Sequence, residues 1–168
     1  WVAGGLISSN LFSNNYSKDG AYLFQDNQWK TFNKTTDTNL DTINFFDFIA
    51  VAIDPDDANH AYIGSWGVGL LEFTAAGVQS IFNETNSSLS PYPNSTTVRV
   101  GGLSYDSGGN LWISNASSDS TISVKRKNGT WQTYSPPVMQ NTIPQALLCD
   151  SRDRKWIVLP WLSGLVVF

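Results

Sequence analysis

Apolar and polar residues alternate over short stretches of this chain, and the stretches recur in a fixed order. Three segments share an apolar strand, an Asp-headed turn, an aromatic-apolar strand, a Gly turn and a further apolar strand. The clearest copy runs over residues 102–106, a polar turn at 107–110, and Leu111-Trp112-Ile113-Ser114. The next reads Ala146-Leu147-Leu148-Cys149-Asp150, then Trp156-Ile157-Val158, and in both copies six residues separate the Asp from the Trp. An earlier copy joins Val51-Ala52-Ile53-Asp54 to Ala61-Tyr62-Ile63-Gly64 through a longer turn, with Tyr62 in place of tryptophan. Trp1-Val2-Ala3 matches only the second strand of such a unit. Each second strand leads to a third at 21–24, 70–73 or 122–125, a tight turn at Asp26-Asn27, Ala76-Gly77 or Asn128-Gly129, and a fourth strand of alternating polarity.

Tyr62, Trp112 and Trp156 lie 50 and 44 residues apart, the length that one four-stranded propeller blade needs. The pattern therefore predicts an all-β chain without a convincing helix: a β-propeller fragment of about three to four four-stranded antiparallel blades, cut from a larger propeller. Blades are expected at residues 1–33 (partial), 49–83, 100–135 and 146–168 (partial). Open sheet edges invite pairing, so the remaining blades of its own propeller are expected partners, and the isolated fragment is expected to self-associate.

Composition narrows the function. Strand and turn formers dominate, and 41% hydrophobic residues suffice for a core. A net charge of −4 repels a phosphate backbone, which argues against nucleic acid. No apolar run is long enough to predict a membrane span. Cys149 is the only cysteine, which excludes an internal disulfide and a multi-cysteine metal site; its apolar neighbours predict a buried thiol.

The motif Asp-x-x-Gly-Asn-Leu-Trp-Ile-Ser at residues 106–114 resembles the two-component-regulator propeller repeat, with Asp153 standing where that repeat has glycine in the last blade. The stretch 54–73, with Ser65-Trp66-Gly67, is also similar to the amino-terminal propeller of the PorZ family of the type IX secretion system. These resemblances imply a non-enzymatic recognition or scaffold propeller in the periplasm or on the outer surface of a Gram-negative bacterium. The PorZ likeness implies an attachment-complex component that handles anionic lipopolysaccharide, with secretion-complex proteins as partners. The alternative is the polysaccharide-sensing input domain of a hybrid histidine kinase, and a further alternative is a polysaccharide-active hydrolase.

Second and fourth strands of an antiparallel blade run the same way, so their exit loops share one rim. Those loops are long, and the opposite rim has compact turns, which places binding on the long-loop rim. Trp66, Tyr92 and Trp161 are its candidate ligand contacts, since aromatic faces beside Asn and Ser suit sugars; wedging between blades is the competing reading of the two tryptophans. Trp1, Trp112 and Trp156 fall within strands and are expected in the core.

His60, the only histidine, follows Asp54-Pro55-Asp56-Asp57-Ala58-Asn59, which reads as turn chemistry and lacks the Gly and distal Glu of a calcium loop. No serine has a nucleophile elbow around it, and Glu72 and Glu84 are the only glutamates. No catalytic residue, metal or cofactor is expected. Seven Asn-x-Ser/Thr sequons reflect the loop composition, whereas Asp41-Thr42-Ile43 and Asp119-Ser120-Thr121 fit a bacterial O-glycosylation pattern at Thr42 and Ser120.

Overall fold

Four antiparallel sheets follow one another along the chain, each made of strands adjacent in sequence. The structure is a computed structural model describing residues 1–9, 12–140, 142–160 and 164–168. The first sheet joins β1 (Val2–Ala3), β2 (Ala21–Gln25) and β3 (Gln28–Phe32). The second holds β4 (Phe48–Asp54), β5 (Asp57–Ser65), β6 (Leu70–Thr74) and β7 (Gly77–Phe82). The third holds β8 (Val100–Tyr105), β9 (Leu111–Asn115), β10 (Ile122–Lys125) and β11 (Trp131–Tyr134). The fourth joins β12 (Leu147–Cys149), β13 (Lys155–Leu159) and β14 (Gly164–Val167). Between sheets, β4 packs on β8 and β8 on β12, so first strands lie side by side and the sheets fan out from them as propeller blades.

The apolar pattern places a core in each gap between blades. Phe32, Phe48, Ile63 and Phe73 fill the first gap, Tyr62, Val100, Leu111 and Ile113 the second, and Trp112, Ile122, Val124 and Ile157 the third. Strand β9 shows the rule: Leu111 and Ile113 face the preceding blade, and Trp112 between them faces the following one. All five of its residues are buried, because both its faces are covered. Trp1 stacks on Phe32 at 5.5 Å between ring centres. Trp156 is half-buried in the fourth blade. The outward faces of the two flanking sheets carry exposed apolar side chains, among them Trp29 and Phe24 on one and Leu148 and Leu165 on the other.

The Asp–Trp spacing has a local cause. Asp106 Oδ2 accepts the indole N–H of Trp112 at 2.7 Å, and its Oδ1 accepts the amides of Gly108 and Asn110 at 3.0 and 2.8 Å. Asp150 repeats the clasp with Trp156 at 2.9 Å and the amides of Arg152 and Arg154 at 2.9 and 3.0 Å. The Trp156 indole leads the contacts that hold the Asp150 carboxyl well below the ordinary carboxylate range. In the second blade His60 takes the indole's part, its Nδ1 lying 2.8 Å from Asp54 Oδ2. Gly109 and Asp153 occupy matching places with φ of +74° and +58°, a conformation glycine enters freely and Asp tolerates. Asp153 adds a bond that glycine lacks, accepting the Ser107 amide at 2.8 Å and so joining the third blade to the fourth.

Two expectations are corrected. The loop after β3 contains a one-turn helix α1 (Thr38–Asp41), N-capped by Asp37, whose Oδ1 accepts the Asn39 amide at 2.9 Å; a 3-10 turn spans Pro137–Met139. Single turns are too short to leave a 3.6-residue period in the sequence. Cys149 is half-buried, since it lies at the end of its strand, and burial raises its thiol pKa.

Candidate functional site

Backbone hydrogen bonds assemble the long-loop rim. The Trp66 amide donates to the Asp47 carbonyl at 2.9 Å, and one blade on the Ala116 amide donates to the Arg99 carbonyl at 2.8 Å. Each bond ties the loop after a second strand to the residue that precedes the first strand. A parallel bridge pairs Val68 with Val98, and the Ser117 amide donates to the Thr142 carbonyl at 3.0 Å. Both sets of loops therefore share one surface, held by the blades beneath.

Asp47 is a fully buried polar anchor of that surface. Its side chain accepts from Asn14 Nδ2 at 3.1 Å and from the amides of Asn15, Tyr16 and Ser17 at 3.0, 3.1 and 2.8 Å. It thereby fastens the long loop of the first blade to the second. Trp66 is also fully buried, with its indole N–H donating to the Phe12 carbonyl at 2.7 Å. Its ring presents no face to solvent in this arrangement and fills the wedge position between blades. Trp161 lies outside the described residues.

Tyr92 stands differently, at 43% exposure. Its loop is pinned: the Tyr92 amide donates to Thr97 O at 2.8 Å, the Ser95 amide to Tyr92 O at 3.0 Å, and the Ser90 amide to the buried Asn115 Oδ1 at 2.6 Å. Beside it opens a groove of about 830 Å³, lined by the 90–96 segment and by Asp119 from the next loop. Prolines fix the backbone, while Ser90, Asn94, Ser95, Thr96 and Asp119 offer hydroxyl, amide and carboxylate groups, a set suited to a hydroxylated ligand. Arg99 backs Tyr92, with its guanidinium carbon 4.9 Å from that ring centre and 5.6 Å from that of Trp66. Sequence reasoning missed both Arg99 and Asp47, because neither belongs to a motif. Thr42 is exposed, its Oγ1 donating to Asn39 O at 2.8 Å, and Ser120 is half-exposed on the groove's loop.

A second polar cleft, of about 220 Å³, opens between the second and third blades on the compact rim. The second blade lines it with Asp54, Asp56 and Glu72, the third with Lys125, Arg126 and Lys127. His60 bridges the acids, Nδ1 at 2.8 Å from Asp54 and Nε2 at 2.9 Å from Glu72, and the Tyr62 hydroxyl donates to Glu72 at 2.8 Å. Burial works against the charge of Glu72, but bonds from Tyr62, Ser80 and His60 outweigh it and lower its pKa. Both imidazole nitrogens thus lie within hydrogen-bond distance of a carboxylate. Among the described residues no group of three or more His, Cys, Asp or Glu side chains could hold a metal ion, and no helix is long and apolar enough to cross a membrane.

No protein-family model and no curated protein matches the sequence. Among solved structures the chain is similar to PorZ, an essential bacterial surface component of the type-IX secretion system of Porphyromonas gingivalis. The TM-score is 0.84 at 24% identity, over 98% of this chain and 23% of that one. It is also similar to the extracellular domain of BT3049 from B. thetaiotaomicron, described as a hybrid two component system, with a TM-score of 0.54 at 17% identity over 73% of this chain and 15% of that one. The extracellular domain of BT4673, described in the same way, gives 0.51 at 14% identity over 72% of this chain and 15% of that one. The chain spans less than a quarter of each of these structures, and at these identities the likeness is one of fold. The propeller resemblance read from the repeats is met at that level.

Proposed function

We propose that this chain is the recognition surface of a non-enzymatic extracytoplasmic propeller, binding its partner along the long-loop rim. The observation that carries this reading is the exposed Tyr92 ring on a pinned loop beside a groove of polar side chains. Rigid presentation of an aromatic platform lowers the ordering cost of binding. The likeness to PorZ supports a component of a type IX secretion attachment complex, with anionic lipopolysaccharide or secretion-complex proteins as partners. The likeness to the BT3049 extracellular domain supports a second reading, a polysaccharide-sensing input domain. A hydrolase finds less support, because the rim groove is lined by a single carboxylate, Asp119, and not by a pair.

In this reading Tyr92 and Trp161 touch the ligand, and Trp66 supports the surface from within. Calorimetric titration of the full chain with anionic lipopolysaccharide and with polysaccharide fragments tests it. Tyr92→Ala is expected to weaken binding about tenfold without lowering the melting temperature. Saturable binding of lipopolysaccharide favours the secretion role, and binding of polysaccharide fragments alone favours the sensor. Undiminished affinity in Tyr92→Ala would move the site off this rim.

Thr42 and Ser120 are proposed as O-glycan acceptors on the same surface. Intact mass of the protein from its native host is expected to exceed the sequence mass by whole sugars, with the excess reduced in Thr42→Val and Ser120→Ala. An unmodified mass would end the proposal.

A further inference from the structure

We propose that Arg99 is the anion-binding centre of the long-loop rim, taking a carboxylate or phosphate group carried by a hydroxylated ligand. The proposal rests on the recognition reading above and assigns the residue that takes the ligand's charge. Its basis is a comparison of equivalent positions on successive blades. Asp47 and Arg99 each immediately precede a first strand, and each carbonyl accepts the corresponding loop amide. At Asp47 the side chain is used up by four donors from the neighbouring blade. At Arg99 the neighbouring blade supplies an aromatic ring instead, Trp66, and the loop between β7 and β8 supplies a second, Tyr92.

Those rings hold the guanidinium in place without neutralising it. Arg99 forms no ion pair with any described residue, and its Nε is buried without a hydrogen-bond partner. A chain with 14 acidic residues sets none of them against this cation. The titratable groups that bear on it are the phenols of Tyr92 and Tyr16, neither a carboxylate. A half-buried cation without a counter-charge is costly to maintain, and an oxyanion bound by the terminal guanidinium N–H groups offsets that cost. Asp119 on the adjoining groove then accepts from the ligand's hydroxyls, while Arg99 takes its charge.

The test titrates the full chain, at one low ionic strength, with a galacturonate oligomer, mannose 1-phosphate, inorganic phosphate and a neutral galactose oligomer. Tryptophan fluorescence is the readout, since Trp66 adjoins Arg99. At least one anionic sugar is expected to bind about tenfold or more tightly than the neutral oligomer. That advantage is expected to vanish in Arg99→Gln and to survive in part in Arg99→Lys, which keeps the charge and loses the planar fork. A preference for galacturonate identifies a carboxylate ligand, and one for mannose 1-phosphate or inorganic phosphate a phosphate ligand. Equal binding of neutral and anionic sugars, lost only in Tyr92→Ala, overturns the anion centre and leaves the rim reading standing. Binding of no probe by the parent chain overturns the anion centre. If Arg99→Gln fails to fold, an anion affinity in Arg99→Lys equal to the parent's overturns it as well.

Discussion

Asp47→Ala is expected to cost the chain about 3–5 kcal/mol of stability, more than most single substitutions do. The carboxylate is fully buried, and its loss strands the backbone N–H groups of Asn15, Tyr16 and Ser17, while the Asn14 amide keeps its bond to the Trp66 carbonyl at 2.8 Å. Those three donors are backbone groups, so no rotamer change can find them another acceptor. Asp47 also has a φ of +48°, where alanine is strained and asparagine is tolerated. Asp47→Asn should therefore cost less than Asp47→Ala, because it keeps one acceptor oxygen and the backbone conformation. Urea unfolding of the two variants beside the parent measures the difference. A loss below about 1 kcal/mol in Asp47→Ala would mean that the loop of the first blade is not fastened through this residue.

Gly102→Val is expected to be at least as damaging, at about 3 kcal/mol or more, through a different cause. Gly102 lies on β8, and a Cβ there would stand 2.3 Å from the Gln145 carbonyl oxygen and 2.5 Å from the Leu147 nitrogen. Both are backbone atoms at the start of the next blade. Relief requires β12 to move off β8, which breaks the Ser114 Oγ bond to Gln145 O at 2.9 Å and the Cys149 amide bond to Ser104 Oγ at 2.9 Å. Gly129→Ala is the control: its φ is +85° but nothing lies within 4 Å, so only backbone strain of about 1–2 kcal/mol is at stake. Hydrogen exchange should show β12 and β13 opening first in Gly102→Val. Exchange at the parent's rate in those strands would show that the close approach is dispensable.

The propeller was readable because its signals are local. Strand alternation, the Asp26-Asn27 turn and the six-residue interval from Asp to Trp all act within one blade, and the last of these is a direct carboxylate–indole bond. Asp54 and His60 keep that same interval, although the donor there is an imidazole and not an indole. The rim was readable only as a place. Trp66 follows a strand, which suggests exposure, yet it is fully buried with its indole bonded to the Phe12 carbonyl of the preceding blade. Asp47 and Arg99 carry no motif, and their roles depend on residues 30 or more positions away or on an adjacent loop. Such pairings depend on how one blade docks on the next, and no periodicity within a single blade encodes that.

Every hydrogen-bonded strand pair in the four sheets joins neighbours in sequence. A hairpin can close within about 1–10 μs of its second strand becoming free, and no strand pair within a sheet waits for a distant segment. Each blade then presents the apolar face on which the next one condenses, so order spreads along the chain as in a linear array. A polypeptide with this connectivity can acquire structure progressively as it emerges from a ribosome or an export channel, each finished blade serving as the template for its successor.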